Sequence, residues 1–400
     1  MSAIDPIVIV SAVRTPLGRF QGALSSLPGH ALGTAAIRAA IERAGVAPDA
    51  VDEVLMGCVL PAGQGQAPAR QAAIGAGIPT SVGATTVNKV CGSGMKATML
   101  AHDLLRAGSA EVIVAGGMES MSGAPYLLTK ARGGYRVGHE QIFDHMMLDG
   151  LEDAYEKGRP MGDFGEMAAE RYGFGRDAQD AWAVDTLQRA QRAIGNGDFV
   201  DEIVPVEVRE RAGTVLVDRD EHPQRVSPEK IPTLKPAFRS DGTITAASAS
   251  ANADGAAALV LTRQSTAQRE GWPILAVIRG HATHSQEPAW YTTAPAPAIR
   301  RLLGRLDWSL DSVGLFEINE AFAVVPMIAA KELGIPRERI NIHGGACALG
   351  HPIGATGARL IVTLVHAMRH TGTKRGVASL CIGGGEATAV ALELPEEATA

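Results

Sequence analysis

The sequence predicts an α/β protein made of two related halves, with a segment of different character set between them. Three observations predict it. Apolar runs rich in Val and Ile alternate with helical patterns near the N-terminus and again from Pro273 onward. A pattern of glycine turn, helix, strand and double glycine occurs twice, first as GSGMKATMLAHDLLRAGSAEVIVAGG and later as GATGARLIVTLVHAMRHTGTKRGVASLCIGGG. Between about Glu119 and Thr245 the alternation gives way to glycine, proline and charge.

In chain order, PIVIVSA reads as a strand, LGTAAIRAAIERAG as a helix and EVLMGCVL as a strand. APARQAAIGAG then reads as a helix, ATTVNKV as a strand, SGMKATMLAHDLLRAG as a helix and AEVIVAGG as a strand. Apolar residues at period 3.6 mark the helices, and short apolar runs between turn residues mark the strands. This βαβα order predicts a largely parallel sheet covered on both faces, with the chemistry at its strand ends. The following stretch (KARGGYRVGHE, RDEHPQRVSPEKIP) holds one amphipathic helix, near Asp177 to Asn196, and little strand alternation. TAASASANADGAAALVLT then resumes the first half. The expected boundaries are 1–120 with 246–272 for the first half, 121–245 for an inserted loop domain, and 273–400 for the second half. The two echoing units span 22 positions from Gly94 to Gly116 and 26 from Gly357 to Gly383. A duplication would bring two glycine-flanked strand ends to one cleft.

At 400 residues and 46% apolar content, the chain can bury more than one core. Its net charge of -6 and its scattered basic residues argue against nucleic acid or an anionic membrane as partner. A phosphate-bearing ligand must therefore meet a local basic patch. The start, MSAIDPIVIVSAVRTP, lacks a basic leader and a spanning length of apolar residues, and the EEATA ending carries no lipidation signal. A cytoplasmic location is expected. The four cysteines, Cys58, Cys91, Cys347 and Cys381, lie too far apart for a CxxC zinc site, so free thiols and no metal are expected.

Four stretches can carry chemistry. In NKVCGSGMKA, Cys91 stands where a strand hands over to a helix. Helix-end N–H groups would lower its pKa and favour the thiolate, although a buried cysteine at a tight turn fits the local features equally. HGGACALGHPIGATG sets His351 between Gly350 and Pro352, and a neutral imidazole near a cysteine can take its proton. The glycines there could also cradle phosphate, but the Lys-Ser/Thr ending of a P-loop is missing. SLCIGGGEAT ends a strand at Cys381 with a glycine run whose N–H groups could face a developing oxyanion. Its spacing does not match GxGxxG, which removes the support for a nicotinamide oxidoreductase. In FEINEAFAVV, Asn319 and Glu320 interrupt an apolar run, where Asn319 serves either as a helix cap or as part of a site.

Taken in order over nearly the whole chain, NKVCGSGMKA, NEAF, GHPIGATG and CIGGG resemble the motifs of the thiolase family, and most those of its acetyl-CoA acetyltransferase branch. The resemblance implies duplicated βαβαβαββ halves in a layered α/β/α/β/α core. It implies that Cys91 accepts an acyl group from an acyl-CoA while His351 takes its proton. Cys381 would then remove the α-proton of a second acetyl-CoA, or activate coenzyme A in the reverse direction. His351 and a water held by Asn319 match the family's donors for the enolate oxygen, and the N–H groups of Cys91 and Gly383 those for the acyl carbonyl.

For coenzyme A, the resemblance points to Ser250 with Ala246 nearby. Phe238, Leu151, Met161, Ala321 and Phe322 would wall the pantetheine tunnel and acyl pocket, although these apolar residues would also suit a core. Arg225, in the basic loop HPQRVSPEK, would meet the nucleotide end or remain solvated. Coenzyme A thioesters are the implied substrates, with no further cofactor, and the implied assembly is a homotetramer built as a dimer of dimers. The chain departs from common family patterns at Pro160, Trp290, Tyr291 and Cys347. Bulky rings near an acyl pocket would favour a two-carbon donor. The alternatives are a longer-chain 3-ketoacyl-CoA thiolase, a decarboxylating ketoacyl synthase and an acyl-CoA binding protein without catalysis. Cys381 stands where a synthase would carry a second histidine.

Overall fold

IVIVSAVR forms the first strand because every one of its side chains is buried, on both faces of the sheet and between two neighbouring strands. The computed structural model describes residues 5–211 and 213–395, so the first four residues and the EEATA ending lie outside the described residues. The first half runs β1 (Ile7–Arg14), β2 (Gly18–Arg19), α1 (Gly29–Ala44), β3 (Glu53–Gly57), α2 (Pro68–Gly75), β4 (Gly83–Val87), α3 (Ser93–Ala107) and β5 (Val112–Ser120). The middle segment carries β6 (Tyr126–Leu127), β7 (Phe143–Asp144), α4 (Met161–Tyr172), α5 (Arg176–Asn196), β8 (Val206–Glu210) and β9 (Gly213–Val217). There follow β10 (Ala253–Arg263), α6 (Gln264–Glu270), β11 (Ala276–Ser285), α7 (Pro295–Leu306), β12 (Leu315–Ile318), α8 (Val324–Leu333), α9 (Ala346–Leu349), α10 (Thr356–Thr371), β13 (Arg375–Ile382) and β14 (Glu386–Glu393). Among the described residues, no helix is long and apolar enough to cross a membrane.

The expectation of a largely parallel sheet is corrected. The main sheet runs β12-β13-β14-β11-β1-β10-β5-β3-β4, and its parallel ladders are β3–β4, β3–β5 and β12–β13. Helical crossovers link those strands. The centre is antiparallel, because β10 enters after the long middle segment and β14 follows β13 through a short glycine turn.

The duplication is plain in this order. Outward from the centre, β1, β10, β5, β3 and β4 correspond to β11, β14, β13, β12 and a parallel bridge from Phe316 to Ile340. The equivalent helices α3 and α10 lie together between the two halves, in a core that takes Met95 and Met99 from one and Leu360 and Leu364 from the other. Helices α1 and α2 cover the outer face of the first half, and α7 and α8 that of the second. The result is five layers, α/β/α/β/α.

Glycines let the middle helices touch. A Cβ on Gly357 would lie 2.4 Å from the backbone N of Met95, and one on Gly94 would lie 2.9 Å from that of Ala358. Backbone therefore meets backbone where both helices begin, at the ends of β5 and β13. The middle segment is tied to this frame by Arg14 of β1, which is buried and pairs with Glu202 and with Asp220 at 2.7 and 2.8 Å.

Gly357→Ala should lower stability by about 1–3 kcal/mol, the usual cost of overpacking. It should also depress turnover by moving the two helix starts apart. Denaturant unfolding and steady-state rates on the same preparation check both.

Candidate active site

Cys91 follows a turn at residues 88–90 that the strand expected over ATTVNKV had covered. β4 stops at Val87 because Asn88 Oδ1 accepts from the N–H of Val90 at 3.0 Å, and Val90 adopts a left-handed φ of 45°, unusual for a β-branched residue. Ser93 holds the turn closed, with its Oγ donating to Val90 O at 2.6 Å and accepting from the N–H of Lys89 at 2.8 Å. The Cys91 sulfur is thereby presented to two backbone N–H groups, those of Gly383 and of Cys91 itself. Gly92 is required at this turn, since a Cβ there would lie 2.3 Å from the side chain of Ile382.

The expected lowering of the Cys91 pKa is corrected. Burial pushes the thiol up to about 11, and the two N–H groups offset only part of that. Desolvation outweighs the helix end. In the resting protein Cys91 is a neutral thiol.

His351 is fixed from both ends. Its N–H donates to Ala251 O at 2.8 Å, and its Nδ1 lies 2.6 Å from Thr356 Oγ. Thr356 gives its own hydrogen to Pro352 O at 3.0 Å, so it can only accept from the ring. Nδ1 therefore carries the proton and Nε2 presents a lone pair. Burial, then the positive charge of Arg359, lowers the imidazole pKa to about 3. The ring is neutral, with its lone pair at Nε2.

Asn319 directly follows β12, and its N–H bonds Ser379 O of β13 at 3.0 Å. Its Nδ2 makes a long 3.5 Å contact with His351 Nε2, and its Oδ1 finds no partner among the described residues although it is buried. Glu320 turns the other way. It accepts from Trp182 Nε1 at 3.0 Å, Thr186 Oγ at 3.0 Å, Asn341 Nδ2 at 2.9 Å and Cys347 N–H at 3.2 Å. Of the two polar residues in NEAF, one faces the histidine and the other anchors α5 and α9 to the core.

Cys381 has no accessible surface, and its thiol is pushed well above the ordinary range by burial and by the nearby Cys91. It packs in one cluster with Tyr291, Ala321 and Phe322, against which Met161 and Phe238 also lie. Cys91 borders a second cluster with Leu60, Ile353 and Leu151. The two sulfurs thus stand where two apolar walls meet. Cys58 and Cys347 are core thiols, donating to Glu119 and to Glu320 O, each at 3.6 Å.

The remaining expected contacts group as follows. Residues 248–250 run antiparallel beside 321–323, with Ser250 N–H bonded to Ala321 O at 2.9 Å and Ala323 N–H to Ser248 O at 2.8 Å. Phe238 meets Phe322 edge to face at 5.7 Å. Met161 Cε reaches within 3.4 Å of a Cβ built on Gly383. Arg225 and Ala246 share a cavity of about 230 Å³ with His222, Lys230 and Leu187.

One expectation divides. Tyr291 is buried beside both sulfurs, and its hydroxyl donates to Met161 O at 3.0 Å. Trp290 instead stacks under Arg171, 4.5 Å from the guanidinium, in a separate surface cleft with Arg300 and Glu332. Its alternate place on a short, kinked turn points it out of the site.

Two residues escaped the sequence reading. Thr356 sets the histidine tautomer, five positions after His351 in GHPIGATG. Glu119 is fully buried and accepts from the N–H groups of Val59 at 2.9 Å, Leu60 at 3.1 Å and Gly354 at 2.9 Å, tying the loop after β3 to the histidine loop. Burial pushes its carboxyl up to about 7. The signal for it was a carboxylate ending an apolar strand in GGMES.

A thiol before two N–H donors, a neutral imidazole with a free lone pair and a second thiol form a set suited to nucleophilic catalysis with proton transfer. Known proteins resemble the chain over nearly its whole length. Residues 7–265 match the thiolase N-terminal domain and residues 272–394 the thiolase C-terminal domain. The acetyl-CoA acetyltransferase of Pseudomonas aeruginosa is 49% identical over 97% of this chain and 99% of its own, and that of Cupriavidus necator is 47% identical over 97% and 99%. Among solved structures, the Bacillus anthracis acetyl-CoA acetyltransferase superposes with a TM-score of 0.95 at 41% identity, covering 99% of this chain and all of that one. The Acat5 thiolase of Ascaris suum, in complex with coenzyme A, superposes with a TM-score of 0.92 at 41% identity, covering 98% and 100%. The chain belongs to the thiolase family.

Proposed function

We propose that the protein catalyses the reversible Claisen condensation of two acetyl-CoA molecules to acetoacetyl-CoA and coenzyme A, through an acyl group on Cys91. The observation that carries this reading is the pairing of two neutral thiols at one site, with His351 Nε2 held as a free base.

In the first half-reaction, the Cys91 sulfur attacks the thioester carbonyl while His351 Nε2 takes the thiol proton. The oxyanion forms against the N–H groups of Cys91 and Gly383. Its collapse expels coenzyme A as a thiolate, which takes the proton of Cys381. The enzyme then holds acetyl-Cys91, a Cys381 thiolate and a protonated His351. Charges of opposite sign beside one another offset the cost of burying each.

In the second half-reaction, the Cys381 thiolate removes an α-proton from a new acetyl-CoA. His351, and Asn319 through a water, donate to the enolate oxygen. The enolate carbon attacks acetyl-Cys91, acetoacetyl-CoA leaves, and the Cys91 thiolate regains its proton from His351. All protons are accounted for.

Ser250 and Ala246 contact the pantetheine arm in this reading, Arg225 the nucleotide end, and Phe238, Leu151, Met161, Ala321 and Phe322 its walls. Burial of Tyr291 beside the sulfurs supports a two-carbon donor over a longer chain. The protein acts in the cytoplasm as a homotetramer. Exposed apolar side chains in the middle segment support the assembly: Tyr126 at 65%, Ile142 at 61% and Leu128 at 52%.

Incubation with acetyl-CoA should add one acetyl mass to the peptide containing Cys91. Cys91→Ala should lose that label, and Cys381→Ala should keep it yet lose condensation. Equal loss of both half-reactions in Cys381→Ala contradicts a separate proton-transfer role. Asn319→Ala should reduce the condensation rate by roughly two orders of magnitude, the usual cost of one oxyanion donor, with a smaller effect on acylation. Because the Cys91 pKa is raised, its thiolate fraction grows as pH rises toward about 11. Alkylation of Cys91 by iodoacetamide should therefore climb about tenfold per pH unit between pH 6 and 9. A plateau near neutrality would mean a preformed thiolate–imidazolium pair.

A further inference from the structure

Away from the sulfurs, α3 and β11 bring His102, Asp103 and His281 together, with one ligand atom of each within 4.8 Å of the others. A single oxygen, Asp103 Oδ1, lies 3.1 Å from His102 Nδ1 and 2.8 Å from His281 Nε2. The two rings stand edge to face, 5.1 Å apart at 89°. We propose that these three side chains form a site for a divalent first-row transition ion of the zinc type, which clamps the two halves of the fold together.

The chemistry of the donors selects the ion. Two imidazoles and one carboxylate suit Zn²⁺, Co²⁺ or Ni²⁺, whereas Mg²⁺ and Ca²⁺ favour oxygen alone. For bonds of about 2.0–2.1 Å at tetrahedral angles, ligand atoms lie roughly 3.3 Å apart. Two of the three separations are already close to that, and rotation of the rings closes the third. To bind, each ring must present a lone pair at the nitrogen that now faces Asp103, with its hydrogen on the other nitrogen, and Asp103 binds as a carboxylate. The fourth position opens toward solvent, where the Asp103 side chain is 54% exposed. The nearby positive charge of Arg106 opposes the cation.

The location assigns the role. His102 stands eleven residues beyond Cys91, so by helix rise the ion sits about 15 Å from that sulfur and takes no part in the chemistry there. His102 and Asp103 lie on α3 of the first half, and His281 on β11, which opens the second. An ion held by all three cross-links two segments far apart in sequence. The expectation of no metal rested on cysteine spacing and could not register this group.

Titration with Co²⁺ after alkylation of Cys91 tests the site. The native chain should take up one equivalent, with the visible bands of low-coordinate cobalt and no thiolate charge-transfer band, and Zn²⁺ should displace it. His281→Gln and the more exposed Asp103→Asn should each weaken uptake about tenfold or more. Zn²⁺ should raise the Tm of the native chain above that of either variant, by the linkage of binding to folding. The absence of saturable uptake, equal uptake by native chain and variants, or bound cobalt carrying the thiolate band would each overturn the proposal.

Discussion

The site depends on a close approach of backbone to backbone. Helices α3 and α10 begin side by side because glycine stands at positions 94 and 357, where any Cβ would strike the other helix. Each helix is preceded by a short segment that bears a candidate site residue, Cys91 in one half and His351 in the other. Gly57, Gly117 and Gly354 extend the contact: a Cβ on either of the first two would lie 2.6 or 2.1 Å from Gly354 O. A duplicated fold thereby brings unlike residues from equivalent places into one site. Interiors this densely packed do not absorb an added methyl group without displacement of one element.

Electrostatics in the resting site favours neutral forms. Burial raises both thiols and lowers the imidazole, which disfavours an ion pair before substrate arrives. In the proposed reaction, charge appears on His351 and Cys381 only after acyl transfer, and each then stabilises the other. Thr356 fixes which ring nitrogen presents the lone pair. Glu119 serves the same end at one remove, because its three N–H donors hold the histidine loop against the loop after β3.

Much of this was legible in the sequence. The strands and helices of the first half, the helix at 176–196 and the doubling of the α3–β5 pattern in α10–β13 all follow from periodicity and glycine placement. Antiparallel pairing at the sheet centre did not, because local alternation carries no information on how β10 returns after a long excursion. Helix α4 was hidden among glycine and charge in MGDFGEMAAERY. The four motifs pointed to Cys91, His351 and Cys381 as candidates, but not to their ionisation: a helix end lowers a thiol pKa and burial raises it, and only packing decides between them. Trp290 and Tyr291 are neighbours in sequence with opposite destinations, set by a turn the sequence does not reveal. The group at His102, Asp103 and His281 joins residues nearly 180 positions apart and was invisible for the same reason.

The central claim is that the two sulfurs serve one substrate cleft in different roles. A crystal structure after a brief soak with acetyl-CoA tests it most directly. The soaked crystal should show an acetyl group on Cys91, with its oxygen against the N–H of Gly383 and Cys381 facing the open side as a free thiol or thiolate. An acetyl group on Cys381, or Cys381 still walled off from the acetylated Cys91, would contradict it.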